Sequence, residues 1–99
     1  MENLIVVVFT MKGCPHCTEF KELLETEGID FVDRDIDEFE EEYNMFSEVT
    51  DNEMVPAVLI IEGDEKKHES FMYVPEKNYN LLTEAVEIIK GHRKKLGII

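Results

Sequence analysis

Apolar runs and helically spaced apolar positions divide the chain into short elements. Residues 4–9 form a continuous apolar run rich in valine, which is typical of a strand covered on both faces. Apolar positions then recur at helical spacing as far as Leu24, and Gly28 follows as a stop signal, so the pattern predicts a helix over residues 15–27. With a short strand predicted over residues 29–36, this half of the chain favours a parallel strand pair with a right-handed crossover.

The next segment predicts a second helix and a hairpin. Phe39, Tyr43 and Phe46 step at i, i+4 and i+7, which indicates a helix with one buried stripe. Residues 57–61 and 68–74 have the character of antiparallel strands on either side of the polar turn "EGDEKK". This hairpin extends the predicted sheet with antiparallel strands.

A final helix is predicted from about Lys77, because apolar residues there share one broad face. It ends in "KGHRKKLG", whose basic side chains complement the negative end of a helix dipole. The element order β-α-β-α-β-β-α predicts an α/β fold built on a mixed sheet. The 99 residues suffice for a single domain, predicted to span residues 1–99, that folds without disulfide staples.

Two cysteines, Cys14 and Cys17, lie in "GCPHC" directly after the first predicted strand. A lone Cys-x-x-Cys in a reducing compartment is typical of redox activity or metal binding rather than of a structural bridge. A zinc or iron–sulfur site is the alternative, but three histidines and the carboxylates are the remaining candidate ligands, and a second cysteine pair is absent from the sequence. The pattern therefore favours a redox-active pair and no metal site.

The spacing of the pair assigns each cysteine a different role. Pro15 suits the first position of a helix, which makes Cys14 the N-cap, where unpaired amides and the helix dipole stabilise a thiolate. Such sites lower a cysteine pKa from ~8.5 to the range of ~3.5 to 7.5, so Cys14 is the predicted nucleophile. Cys17 shares its helix face at i+3, which lets the two sulfurs meet, and it is the predicted resolving thiol.

Two basic residues lie close to this pair in the sequence, one between the cysteines and one before them. His16 is the second spacer residue, and its imidazole is expected to stabilise the Cys14 thiolate. Lys12 is expected to add a second positive charge from the other side. The alternative for His16 is an ordinary exposed side chain.

The charge and hydropathy of the chain limit the classes of molecule that it is expected to bind. The formal net charge is −13, and eight acids fall between Asp30 and Glu42, where Arg34 is the only base. Such a surface repels phosphate backbones and anionic membranes, which argues against nucleic acid and membrane binding. The acidic run serves either solubility or the steering of basic client proteins. The chain start does not resemble a secretory signal and no apolar stretch would span a bilayer, so we expect a cytoplasmic protein.

The strand "LIVVVFT", the helix opening "GCPHC" and the later "MVPAVLII" together resemble the thioredoxin-fold superfamily, and more narrowly its small glutaredoxin-like and thioredoxin-like disulfide oxidoreductases. The resemblance implies a mixed four-stranded sheet with helices on both faces. It also implies that Pro56 is a cis proline and that Val55 offers its backbone N–H and C=O to a bound client. Without the resemblance, Pro56 would be a plain proline at the start of a strand.

The sequence departs from both subfamilies at specific positions. Glutaredoxins usually carry Cys-Pro-Tyr-Cys, a base three residues before the first cysteine, and a Gly-Gly with an acidic pair that holds glutathione. Here the spacer is His16, Met11 takes the place of the base with Lys12 one step nearer, and "HESFMYVPEKN" contains no Gly-Gly. Thioredoxins usually carry a tryptophan and a buried acid upstream, where this chain has Val8 and no tryptophan.

The Cys-Pro-His-Cys tetrad itself is similar to that of the periplasmic thiol-oxidant family. That role conflicts with the lack of an export signal and of room for an inserted helical domain. The sequence therefore predicts a compact thiol–disulfide oxidoreductase with features of several subfamilies.

The expected function is reduction of protein disulfides by a monomeric enzyme with a Cys14–Cys17 dithiol relay and no cofactor beyond this redox-active pair. The resemblance implies a thioredoxin reductase or glutathione as electron donor and ribonucleotide reductase as a type of client. One alternative is a glutathione-dependent reductase that removes glutathione from proteins. The other is a binding module in which Cys14 anchors an iron–sulfur cluster between two copies with glutathione.

Overall fold

A computed structural model of the chain describes residues 3–64 and 66–98. Within these ranges the elements, in chain order, are β1 (Asn3–Thr10), α1 (Pro15–Thr26), β2 (Val32–Asp35), α2 (Glu40–Thr50), β3 (Ala57–Gly63), β4 (His68–Tyr73) and α3 (Leu82–Lys95). The predicted order β-α-β-α-β-β-α is confirmed. Among the described residues, no helix is both long and apolar enough to cross a membrane.

The strands form one mixed sheet in the order β2-β1-β3-β4. β1 pairs parallel with β2 and antiparallel with β3, and β3 pairs antiparallel with β4. β1 is thus a central strand, which explains its continuous apolar sequence, because side chains on both of its faces meet helices. The predicted mixed four-stranded sheet is confirmed.

Two predicted boundaries were wrong, and both differences have a local cause. Residues 29–31 lie outside β2, because Gly28 adopts a left-handed φ of +69° and the Ile29 amide turns back to the Leu24 carbonyl at 2.9 Å. At the other end of the chain, α3 begins at Leu82 rather than near Lys77. The intervening residues form a loop that makes hydrogen bonds to other parts of the fold.

Helices α1 and α3 cover one face of the sheet. Valine and isoleucine side chains of β1 and β3 point to this face and are almost fully buried: Val6, Val8, Val58 and Ile60. Phe20 and Leu24 of α1 and Ile89 of α3 pack against them, each with no measurable exposure. This layer is the larger of the two cores and fixes the position of α1 on the sheet.

Helix α2 covers the opposite face. The Phe9 ring, at the carboxyl-terminal end of β1, packs against Tyr43 and Phe46 with ring centroids 5.5 and 4.8 Å away. Ala57 and Val74 complete this smaller cluster. The predicted buried stripe is confirmed at Tyr43 and Phe46, whereas Phe39 is the N-cap of α2 and only half-buried. Helices lie on both faces of the sheet as expected.

A buried polar cluster joins the sheet to the end of α3. Glu62 of β3 is 6% exposed, and its carboxylate accepts a short hydrogen bond from His92 Nδ1 and contacts Lys95 Nζ at 3.0 Å. The other His92 ring nitrogen lies 2.6 Å from the Tyr73 hydroxyl. The basic end of α3 therefore complements a buried carboxylate as well as the helix dipole.

Hydrogen bonding keeps Glu62 charged in this cluster. The His92 hydrogen bond lowers the pKa of the Glu62 carboxyl below its ordinary value of 4.5, and the nearby Lys95 adds to this effect. Burial acts in the opposite direction but does not outweigh these contacts. The folded protein thus holds an ionised Glu62 at neutral pH.

Candidate active site

The turn between β1 and α1 presents Cys14 at the start of a helix. Gly13 adopts a left-handed φ of +74°, which ends the turn, and Cys14 follows with extended backbone angles as the N-cap residue. Pro15 occupies the first turn of the helix, where its missing N–H costs no hydrogen bond. The Cys14 Sγ accepts a hydrogen bond from the Cys17 backbone amide at 3.2 Å. The sulfur therefore fills the role that a serine or aspartate oxygen has in an ordinary helix cap.

Cys14 and Cys17 are joined by a disulfide, with their Cα atoms 5.3 Å apart. Cys14 is 9% exposed and Cys17 is 2% exposed, so Cys14 is the more accessible of the two. The Cys14 carbonyl accepts from the Thr18 amide at 3.2 Å, which is the first regular helical bond of α1. The Cα separation lies within the usual range for a disulfide, so the pair can be oxidised and reduced in a two-electron step.

His16 and Lys12 lie on the outer surface near the disulfide. The His16 side chain is 76% exposed, and its Nδ1 lies 3.9 Å from the Glu19 carboxylate one turn further along α1. Lys12 is exposed in the turn before Gly13. An influence of His16 and Lys12 on the Cys14 sulfur stays a prediction. The Glu19 contact was missed, although its i+3 spacing from His16 is visible in the sequence.

Pro56 lines a cavity next to the start of α1. The Val55–Pro56 peptide bond is cis, as the resemblance implied, and Pro56 is buried at the start of β3. A cavity of about 270 Å³ is lined by His16, Val55, Pro56 and Tyr79, among other residues. The structure thus brings the His16 side of the cysteine helix and the Val55–Pro56 segment to one cavity.

The loop between β4 and α3 is hydrogen-bonded to the Pro56 segment, a contact that the sequence did not predict. The buried Tyr79 donates a short hydrogen bond from its hydroxyl to the Pro56 carbonyl, and burial raises the pKa of that phenol. Lys77 Nζ lies 2.5 Å from the Thr50 carbonyl and 3.0 Å from that of Asp51, at the end of α2. The turn-forming sequence "VPEKNYN" was the available signal that residues 74–80 are not helical.

The N-terminus of α3 is capped from within. The Glu84 carboxylate accepts hydrogen bonds from the Asn80 amide at 3.0 Å and the Leu81 amide at 2.8 Å. These backbone bonds lower the pKa of the Glu84 carboxyl. Both amides face the start of the helix and are occupied by the chain's own carboxylate, which leaves less capacity there for the carboxylate of a ligand.

Val8 occupies the position where thioredoxins carry a buried acid, and Asp33 lies beside it in the β1–β2 register. The Asp33 carboxylate accepts from the Thr10 hydroxyl at 2.5 Å and contacts Lys21 Nζ at 2.9 Å. Burial acts to raise the pKa of Asp33, but these hydrogen bonds and the Lys21 charge outweigh it and lower the pKa. Asp33 is therefore an ionised carboxylate with partners of its own.

No group of three or more His, Cys, Asp or Glu side chains within residues 3–64 and 66–98 is arranged to hold a metal ion.

Comparison with known proteins agrees with this geometry. Residues 6–65, more than half of the chain, match the family model described as glutaredoxin. The structure of Trichomonas vaginalis thioredoxin is similar, with a TM-score of 0.60 over 94% of this chain and 78% of that chain at 16% sequence identity. At that identity the likeness shows the thioredoxin fold. Among curated proteins, no sequence matches this chain significantly.

The family match covers most of β1, the cysteine pair, α2 and β3, and it includes the disulfide and the His16 and Val55–Pro56 sides of the cavity described above. The chain belongs to the glutaredoxin family, has a thioredoxin-like fold, and is a dithiol–disulfide oxidoreductase.

Proposed function

We propose that this protein reduces disulfides of client proteins, with Cys14 as the nucleophile and Cys17 as the resolving thiol. The observation that carries the proposal is the N-cap position of Cys14, whose Sγ accepts the Cys17 amide hydrogen bond at 3.2 Å. In the reduced protein the same amide and the α1 dipole would favour a thiolate at Cys14. The lower exposure of Cys17 supports its assignment to the second step.

The proposed reaction has two thiol–disulfide exchanges. The Cys14 thiolate attacks one sulfur of a client disulfide, which forms a mixed disulfide and releases the first client thiolate. The Cys17 thiolate then attacks the Cys14 sulfur, which closes the Cys14–Cys17 disulfide and releases the second client thiolate. The client gains two electrons and the enzyme loses two. A reductase dithiol or two molecules of glutathione would return the enzyme to its reduced form.

Client binding is proposed at the backbone of Val55, beside Pro56. The cavity there is lined by side chains of several elements, and Met54 at its rim is 45% exposed. An extended client segment would pair with the Val55 N–H and C=O and place its disulfide next to Cys14. The hydrogen bond from Tyr79 to the Pro56 carbonyl supports this assignment, because it holds the segment in place.

Glutathione-dependent reduction is the second candidate, and the glutaredoxin family match favours it. The α3 N-terminus argues against it, because the Glu84 carboxylate already occupies the Asn80 and Leu81 amides. Glu76 is an acid in the lining of the Val55–Pro56 cavity, and glutathione itself carries a net negative charge. Protein disulfides are therefore the preferred substrate in this proposal.

Two variants separate the candidates. Cys14→Ser should abolish insulin reduction, and Cys17→Ser should accumulate a mixed disulfide detectable by mass spectrometry. A glutathione-dependent reductase needs only Cys14, so Cys17→Ser would then retain activity on a glutathionylated protein. Full insulin reduction by Cys14→Ser would contradict the proposed nucleophile.

A further inference from the structure

The sheet face beneath α2 is left partly uncovered at the end away from Phe9. α2 packs on Phe9, near the carboxyl-terminal end of β1, whereas Ile5, towards the other end of that strand, is 46% exposed. A groove of about 520 Å³ lies there, within the size range of ~300–1,000 Å³ typical of binding pockets. It is separate from the Val55–Pro56 cavity in its lining residues.

The floor of the groove is a continuous apolar surface across all four strands. One row consists of side chains that neighbour one another in the sheet register: Val32, Val7, Leu59 and Met72. A second row pairs Ile5 with Ile61, and Ile5 is 46% exposed. Contiguous exposed apolar surface is typical of a binding site, and the partly exposed Ile5 and Ile61 supply it here beside the more buried first row.

One wall of the groove is the outer side of α2. Met45 and Val49, at i and i+4, are 70% and 71% exposed and line the groove together with Phe46. Two large apolar side chains in the same register on one helix face extend the apolar surface away from the sheet floor. The floor and the wall together have the form of a cleft that accepts a helix with apolar side chains on one face.

Acids outnumber bases in the segment that supplies the α2 wall and one edge of this cleft, and the Glu42 side chain lines the cleft. Residues 30–53, which supply β2, α2 and their connections, contain eleven acids and one base. The base is Arg34, which contacts the Glu42 carboxylate at 3.7 Å and stacks at 4.2 Å over the Phe39 ring. Its charge is therefore already matched within the chain, and the field around the cleft is negative.

We propose that this cleft binds a basic amphipathic helix of a protein partner, with apolar residues on the cleft face and lysine or arginine on the flanks. The apolar floor and wall would bury the partner's apolar face, and the acidic rim would attract its charged flanks. A second copy of this chain fits poorly, because a symmetric contact would place each acidic segment opposite its own copy. The inference does not depend on the redox reaction, since the cleft uses neither cysteine.

The test uses labelled synthetic peptides of about 14 residues, roughly four helical turns, with leucine on one face and lysine elsewhere. Fluorescence anisotropy should show saturable binding that weakens as salt is raised. A peptide with glutamate in place of lysine, and a lysine peptide with the leucines dispersed around the helix, should bind at least ~10-fold more weakly. Equal binding of all three peptides would overturn the proposal.

The decisive variant is the double substitution Met45→Glu and Val49→Glu. Both positions are exposed, so the fold should be retained, and the protein becomes still more acidic. The proposal expects binding of the lysine peptide to fall at least ~10-fold because the apolar wall is lost. Unchanged or tighter binding would show attraction by charge alone and would overturn the proposal.

A matched pair of charge variants tests whether the acids of α2 beside the cleft contribute to peptide binding. Glu41→Gln with Glu48→Gln removes two acids beside Met45 on α2, whereas Glu22→Gln with Glu25→Gln removes two exposed acids on α1, across the sheet. The first pair should weaken binding about threefold more than the second at low salt. Equal effects would place the peptide elsewhere and contradict the proposal.

Sedimentation of the free protein tests whether a second copy of this chain occupies the cleft. A concentration-dependent dimer that the Met45→Glu and Val49→Glu variant abolishes would assign the cleft to a second copy and overturn the proposal. A monomer over the range used for peptide binding supports it.

Discussion

The two faces of the sheet are covered unequally. α1 and α3 together seal one face, where Val8 and Ile60 have no measurable exposure. α2 alone lies on the other, where Ile5 and the neighbouring Ile61 remain partly open. The sealed face holds α1 and so fixes the cysteine pair at its start, whereas the open face offers apolar surface for binding. The same strands thus serve stability on one side and recognition on the other.

The largest expected effect comes from two adjacent residues that point to opposite faces. Ile60→Ala should lower the free energy of unfolding by about 3 kcal/mol, because it leaves a cavity beneath α1 and α3. Ile61→Ala should lower it by about 1 kcal/mol, because this side chain is already partly solvated. Urea denaturation of the oxidised protein measures both. Similar losses of unfolding free energy at the two positions would show that the two faces contribute equally to stability.

Glu62→Gln should lower the free energy of unfolding by about 2 kcal/mol near neutral pH, because it replaces the buried carboxylate that His92 and Lys95 contact. The matched control is Glu69→Gln, an exposed residue opposite Glu62 in the β3–β4 register, with an expected change within about 0.5 kcal/mol. Urea denaturation again provides the measurement.

The pH dependence of the Glu62 contribution has a definite sign. Because the folded pKa lies below the ordinary value of 4.5, the stabilisation is fully present above that pH. It is lost as the pH falls through the lowered folded value. The difference between wild type and Glu62→Gln should therefore shrink in acid, and a difference that grows in acid would contradict the proposed charge state.

Tyr79→Phe should cost about 1 kcal/mol of stability, since the ring stays buried but the hydrogen bond to the Pro56 carbonyl is lost. If Val55 binds clients, the variant should also raise the KM for insulin several-fold with a smaller change in kcat. The control is Tyr73→Phe, whose hydroxyl contacts His92 at the α3 end and lies outside the lining of the Val55–Pro56 cavity. Equal kinetic effects of the two substitutions would contradict the proposal that Tyr79 positions the Val55–Pro56 segment.

The smallest expected effect is on the open face itself. Val49→Ala should change the free energy of unfolding by less than about 0.5 kcal/mol, because the side chain is 71% exposed. The same substitution should nevertheless weaken binding of the lysine peptide. A large loss of stability would mean that Val49 belongs to the folded core rather than to a binding surface.

Local patterns in the sequence predicted the element order, the sheet and the helix cap at Cys14. The N-cap could be predicted because Gly13, Pro15 and the first apolar positions of α1 are close together in the chain. The start of α3 could not, because residues 74–81 are held by contacts to distant residues, such as Lys77 with Thr50. Tertiary hydrogen bonds there outweigh helical periodicity.

The buried Glu62–His92 contact could not be predicted from the sequence either, because thirty positions separate the two residues. The basic end of α3 had a sufficient local explanation in the helix dipole, so nothing pointed to a buried partner. The uncovered end of the sheet face near Ile5 was missed for a related reason. Periodicity marks a strand as apolar on both faces but does not tell how far a single helix covers it.

The account depends most on the activated sulfur of Cys14, which the rate of iodoacetamide alkylation tests directly. In the Cys17→Ser variant, the amide of residue 17 can still donate to the Cys14 sulfur, and Cys14 is the only thiol. Its alkylation rate should rise with a midpoint at or below pH ~7.5, against ~8.5 for an unfolded peptide of the same local sequence. An identical midpoint in the folded variant and the peptide would contradict the proposed nucleophile.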